Sequence, residues 1–150
     1  MTHRNFNMMI TRLQSKDPDV AQRLMLATSL QRRRIAIAAA EWALRMNSLN
    51  ELELIDVTKS LRENAKLSAD GKLKLEALVK EFDDECFEVE NSGAAERDYM
   101  QLFGKARAVS ALLFAAGDDS FTAAAEAIYE ASVATDDEKQ LFDLVHSYLP

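Results

Sequence analysis

Four glycines and two prolines in 150 residues leave this chain almost no turn punctuation, while 23 alanines favour the helix at every position they hold. No segment shows sustained apolar/polar alternation of the strand type. The sequence therefore predicts an all-α protein, a compact bundle of about seven helices joined by short loops between mostly antiparallel neighbours. The length suits one domain spanning residues 1–150, long enough to bury roughly 68–70% of its unfolded surface without a metal or disulfide staple. The one cysteine, Cys86, cannot bridge internally, which excludes a disulfide scaffold and points to a reducing, cytoplasmic compartment. No apolar run approaches the ~20 residues that span a bilayer, and the first residues lack a signal-peptide profile, so neither membrane insertion nor secretion by that route is expected.

Start and stop signals divide the chain. A short amphipathic helix is expected over Arg4–Leu13, with Phe6, Met9, Ile10 and Leu13 at helical spacing. It ends before Asp17-Pro18, where Asp17 caps and Pro18 opens the next helix. That helix runs to about Asn47 and bends near Thr28-Ser29, because thirty residues exceed the ordinary length. Ser48 and Glu51 have capping-box spacing ahead of a helix from Leu49 to about Lys66, whose expected core includes Leu52, Ile55 and Leu61. Ser68–Gly71 forms a turn and cap for a helix reaching Glu90 and stopping at Asn91-Ser92-Gly93. Ala94–Ala116 follows, closed by Gly117 in the left-handed position beyond the helix end. A sixth helix starts at Asp119 or Ser120 and reaches about Ala134. A second capping box, Thr135 with Glu138, begins the last, which ends at Leu149. Two stretches, Ile35–Leu44 and Ala108–Ala116, are apolar almost all round and belong at the bundle centre.

Motifs for chemistry are scarce. With only His3, His146 and Cys86, no zinc cluster of Cys and His can be assembled, and the Glu-x-x-His motif of di-iron bundles is missing. Phosphate-binding loops, dinucleotide fingerprints and nucleophile elbows are also missing. No cofactor or metal is expected, and no catalytic residue. Asp143 and His146 share a face of the final helix but read as a surface pair near a helix end. Cys86 lies on its helix's apolar stripe and reads as a small core residue. Arg32, Arg33 and Arg34 project about 100° apart, so they read as solvated or internally paired rather than as one nucleic-acid-binding face.

The net charge of -7 has a direction. Residues 1–75 carry 13 basic and 8 acidic side chains, the remainder 5 and 17. Much of the second half's acidity (Asp118, Asp119, Asp136, Asp137, Glu138) sits at helix starts, where capping and the helix dipole explain it. The stretch Glu81–Glu90 has no such explanation. At about 100° per residue, Leu75, Leu78, Val79, Phe82, Cys86 and Val89 gather into a buried arc, and Glu81, Asp84, Glu85 and Glu88 form a second arc beside it. Glu81–Glu85 and Asp84–Glu88 are like-charged pairs four residues apart, each destabilising by about 0.2–0.5 kcal/mol. These carboxylates also approach the helix C-terminus, where the dipole disfavours them. Phe87 falls off the apolar arc, flanked by Asp83 and Glu90 on one side and Asp84 on the other. An aromatic ringed by acids is the composition of an interface anchor for a basic protein partner. The competing arrangement has another helix covering Phe87 and basic residues of the first half neutralising the acids. A divalent-cation site is a further option, although a straight helix does not converge carboxylates as a loop does.

The Ala-rich stretches Arg33–Ala43 (RRIAIAAAEWA), Lys105–Ala116 (KARAVSALLFAA) and Ala124–Ala131 (AAEAIYEA) resemble the helices of all-α immunity proteins from bacterial polymorphic-toxin systems. The resemblance implies a small cytoplasmic protein that neutralises a cognate toxin by covering its active surface; it transfers no binding residue. Two lines thus meet on a non-catalytic protein-binding inhibitor, with Glu81, Asp83, Asp84, Glu85, Phe87, Glu88 and Glu90 as the partner-binding set. The partner would be a basic protein such as a nuclease-like toxin, with no direct nucleic acid and no membrane involved. A phage-type inhibitor mimicking nucleic acid, a helical adaptor or self-associating subunit, and an enzyme or small-ligand receptor in a helical bundle are the alternatives.

Overall fold

The computed structural model describes residues 11–93, 95–118 and 120–149. Among these are eight helices and no strand: α1 Arg12–Lys16, α2 Pro18–Leu26, α3 Ser29–Met46, α4 Leu52–Arg62, α5 Ala69–Ser92, α6 Glu96–Ala115, α7 Phe121–Val133 and α8 Glu138–Tyr148. The all-α bundle is as expected. Most of the expected Arg4–Leu13 helix, including Phe6, Met9 and Ile10, lies outside the described residues, as do His3 and Asp119.

The extra helix comes from Thr28. Rather than bending, the chain breaks: Ala27 and Thr28 are extended, and Thr28 and Gln31 form a reciprocal capping box. The T-x-x-Q spacing carries that signal as plainly as S-x-x-E. Conversely, the expected box at Ser48 and Glu51 does not form, because Ser48 is used to end α3. It sits at φ 57 while its N–H donates to the Arg45 carbonyl and that of Leu49 to the Leu44 carbonyl, a Schellman closure. Glu51 caps α4 without a side-chain bond. Asn64 (φ 66) closes α4 the same way, short of Lys66, with Arg33 donating to the Leu61 and Ala65 carbonyls. This start also sets the phase of α4. Leu54, Thr58 and Leu61 are buried, whereas Leu52 and Ile55, expected in the core, are exposed.

Two further caps differ. The last helix is capped by Asp137, which accepts from the Gln140 N–H, while Thr135 accepts from Asp137 to shape the approach. Left-handed φ is found at Gly93 but not at Gly117, so α6 closes at Ala116 without a left-handed residue. The expected caps at Asp17, Ser68 and Ser120 are present.

The centre is α3, α6 and α7, which pack on one another. Their facing residues are small: Ala39, Ala40, Ala43, Ala108, Ala111, Ala124, Ala127 and Ala131 are all fully or almost fully buried. Small side chains let the axes approach, and Gly104 marks the limit. A Cβ there would lie 2.6 Å from the Ala134 carbonyl and against the Asn47 side chain. Trp42 is core, its indole N–H donating to Gln140. Around this centre, α1 and α2 lie on α7, α4 and α8 on α3, and α5 forms a hairpin with α6.

Candidate functional site

Helix α5 is the least enclosed long element. It has 24 residues, about 36 Å of axis, yet buries only Leu75 and Cys86 fully. Leu78, Val79 and Phe82 pack on the core as partly buried residues. Gly71 and Val89 are also partly buried, and the rest of the helix faces solvent. The Cys86 thiol donates to the Tyr99 carbonyl at 3.6 Å, and burial, then Asp83 and Glu90 nearby, pushes it above the ordinary thiol range. It packs in the α5–α6 seam, where burial disfavours the thiolate.

The seven residues singled out between Glu81 and Glu90 are all exposed, Phe87 to 64%. No described helix covers Phe87. Their charges fall into two groups. Asp83 accepts from Arg107 of α6 at 3.1 and 3.2 Å, and Asp84 from Lys80 at 2.7 Å. Lys80 stands four residues before Asp84, so the sequence itself carried this compensation alongside the repulsion of Glu88. Glu81, Glu85, Glu88 and Glu90 pair with no cation among the described residues. The described basic residues that pair with acids of the stretch, Lys80 and Arg107, both come from the second half of the chain and not from the basic first half.

Placed on the observed helix, the set also divides by direction. Glu81, Glu85 and Glu88 run along one stripe with Lys74, Ala77 and Leu78, whereas Phe87 lies about 140° away on a face shared with Leu73, which is also exposed.

A charged network that the sequence reading passed over lies behind α5. Glu130 of α7 is 2% exposed and accepts from Arg107 and Ser110, both at 2.7 Å. Its other oxygen has no hydrogen bond and faces Arg12 at 3.6 Å, while Arg12 also grips Glu126 at 3.0 Å and lies over the Tyr129 ring. Arg107 thus joins Glu130 to Asp83, tying α7, α6 and α5 together. The signal in the sequence was an acid at a fully apolar phase, between Ile128 and Ala131.

The remaining candidates serve the fold. Asp143 pairs with Lys139, and His146 Nδ1 accepts from Arg23, so the two do not act together. Arg32 donates to the Ala27 carbonyl at the α2–α3 break and Arg33 caps α4, leaving only Arg34 of the triplet fully outward. Glu41 pairs with Arg62 at 3.2 Å, yet burial raises its carboxyl above the usual range, with Arg62 and Arg45 opposing. No group of three or more His, Cys, Asp or Glu among the described residues converges as a metal site. No described helix is long and apolar enough to cross a membrane.

These features define a class: an all-helical bundle with a filled Ala-rich core and an exposed, partly uncompensated acidic helix. No protein-family model matches the chain, and no curated protein or solved structure is significantly similar to it.

Proposed function

We propose that this protein is a non-catalytic, cytoplasmic inhibitor that works by binding another protein, in the manner of an immunity protein occluding the active surface of a cognate bacterial toxin. One observation supports the reading above the others. Glu81, Glu85, Glu88 and Glu90 stand exposed without a cation among the described residues, beside an exposed Phe87, at a cost to the helix that carries them. A side-chain arrangement that weakens the free helix is supported when a basic partner supplies the missing charges. The toxin-neutralising role rests on the resemblance of the Ala-rich helices alone.

Electrostatic docking of this kind raises the association rate and makes it salt-sensitive. The test is affinity capture from the native host, followed by stopped-flow association with the partner recovered. Glu81→Gln, Glu85→Gln and Glu88→Gln together are expected to slow association about tenfold or more at low salt and to flatten its salt dependence. Phe87→Ala is expected to raise the dissociation rate, by about thirtyfold for a hot spot near 2 kcal/mol. An association rate and salt slope unchanged by the triple substitution would sink the assignment.

A further inference from the structure

Between α4 and α5 the chain leaves a groove of about 780 Å³. Its apolar lining includes Leu54, Val57, Leu61, Leu75, Leu78 and Phe82. Five carboxylates edge it (Glu51, Glu53, Asp56, Asp70, Glu81) against two lysines, and one of those, Lys74, is already held by Asp70 at 3.4 Å. Glu51, Glu53, Asp56 and Glu81 have no cation paired with them among the described residues. Every charged residue of the lining is exposed at the rim, and the buried orphan polar atoms of the protein belong to Arg33, Arg107 and Glu130, which lie elsewhere. The floor therefore has no convergent polar group to orient a small molecule. An apolar trough with anionic edges instead matches a helix that carries an apolar ridge between rows of cations.

Length and direction agree. The α4 wall has 11 residues, about 16 Å or three helical turns. Past the end of the groove, Glu85 and Glu88 continue the stripe of Glu81 by one and two further turns of α5. We infer that the α4–α5 groove is the docking site for a basic amphipathic helix of a partner protein, received with its apolar ridge on the half-buried Val57 and Leu78 and its cations between Glu53 and Asp56 on one side and Glu81, Glu85 and Glu88 on the other. The inference rests on the protein-binding reading and sharpens it: Phe87, on the opposite face of α5, stands outside this contact.

The probe is a synthetic helical peptide of about four turns with Leu on one face and Lys on the others. Its controls are the same residues in scrambled order and a version with Glu replacing Lys. Binding to the full chain is followed by fluorescence anisotropy, and its place by methyl chemical-shift changes. The Leu/Lys peptide is expected to bind and to shift Leu54, Val57 and Leu78, while both controls bind at least about tenfold more weakly. Ala77→Arg adds bulk and positive charge at an exposed groove position without entering the core, and is expected to weaken binding about tenfold or more; Glu53→Gln with Asp56→Asn acts in the same direction. Phe87→Ala is expected to change it less than about twofold.

Equal binding of the scrambled peptide, shifts centred on Leu73 and Phe87, self-association of the chain through the groove, or indifference to Ala77→Arg would each overturn the inference. The two readings fail separately. Loss of effect at Ala77, Glu53 and Asp56, with effects retained at Glu85, Glu88 and Phe87 towards the native partner, removes the groove and keeps the acidic-face reading. Silence at Phe87 and Glu90, which lie outside the groove contact, with the groove variants still effective does the reverse.

Discussion

Two groups of carboxylates in this protein, less than two helix layers apart, have opposite fates. Glu130 is enclosed on α7 and has Arg107, Ser110 and Arg12 arranged around it. Glu81, Glu85 and Glu88 stand on α5 with no cation paired to them among the described residues. A buried charge without partners costs several kcal/mol, so the fold must surround it; an exposed one is solvated and tolerates neglect. Burial thus requires compensation, while exposure leaves it optional: Asp84, exposed on the same helix, still pairs with Lys80. Uncompensated charge collects where water now stands and a partner can later replace it. Asp83 sits at the border, exposed yet linked through Arg107 to the enclosed group.

Substitutions on both sides test this contrast. The largest effect is expected from Glu130→Gln, which leaves the Arg107 guanidinium in place with Asp83 alone. Breaking a buried pair costs about 3–5 kcal/mol, so urea denaturation should show a loss near 3 kcal/mol, Arg107 retaining one anion. A loss under about 1 kcal/mol would mean that the network is decorative and the contrast false.

Glu41 sharpens the rule by pH. Its folded carboxyl is raised chiefly by burial, so the folded state holds the proton more tightly than the unfolded state does. Stability should therefore fall as pH rises from the ordinary carboxyl range through the raised folded value, with a slope of at most about 1.4 kcal/mol per pH unit for one proton. Glu41→Gln should flatten that part of the profile. Asp83→Asn comes next: it removes an ion pair whose acid is half exposed, and should cost only about 0.2–1 kcal/mol.

The smallest effect has the opposite sign. Glu85→Gln relieves its repulsion with Glu81 and should raise stability by about 0.2–0.5 kcal/mol, visible as a small rise in the melting temperature. A destabilised Glu85→Gln would show that the residue has a partner within the fold.

Much of the architecture was readable in the residues. Alanine abundance, Asp17-Pro18, Ser68 and Ser120 placed helix starts locally, because a cap is satisfied by atoms within three residues of it. The misplaced boundaries have a common cause, in that one segment offered two local solutions. Ser48 serves to close α3 or to open α4, and the close packing of Leu44 and Leu49 in the core selects closure. The exposed Leu52 and Ile55 follow from that choice, since α4 turns a different stripe inward. Of the candidate site, the acidic stretch and the place of Phe87 off the apolar arc were legible from the helix wheel, whereas the exposure of the ring depended on how the helices pack. The division of the site was not legible, because Asp83 finds its cation 24 residues away, and the α4–α5 groove exists only where two helices diverge.

By itself the sequence determined an all-helical chain with a small-residue centre and one acidic helix under local strain. These are properties of neighbours within a turn or two, and short-range hydrogen bonding and helix electrostatics decide them. Tertiary structure alone decided which acids keep a cation, which face of α5 meets a groove, and that Glu130 is enclosed. Those outcomes depend on distances between residues far apart in the chain, and such distances are set only when the helices pack.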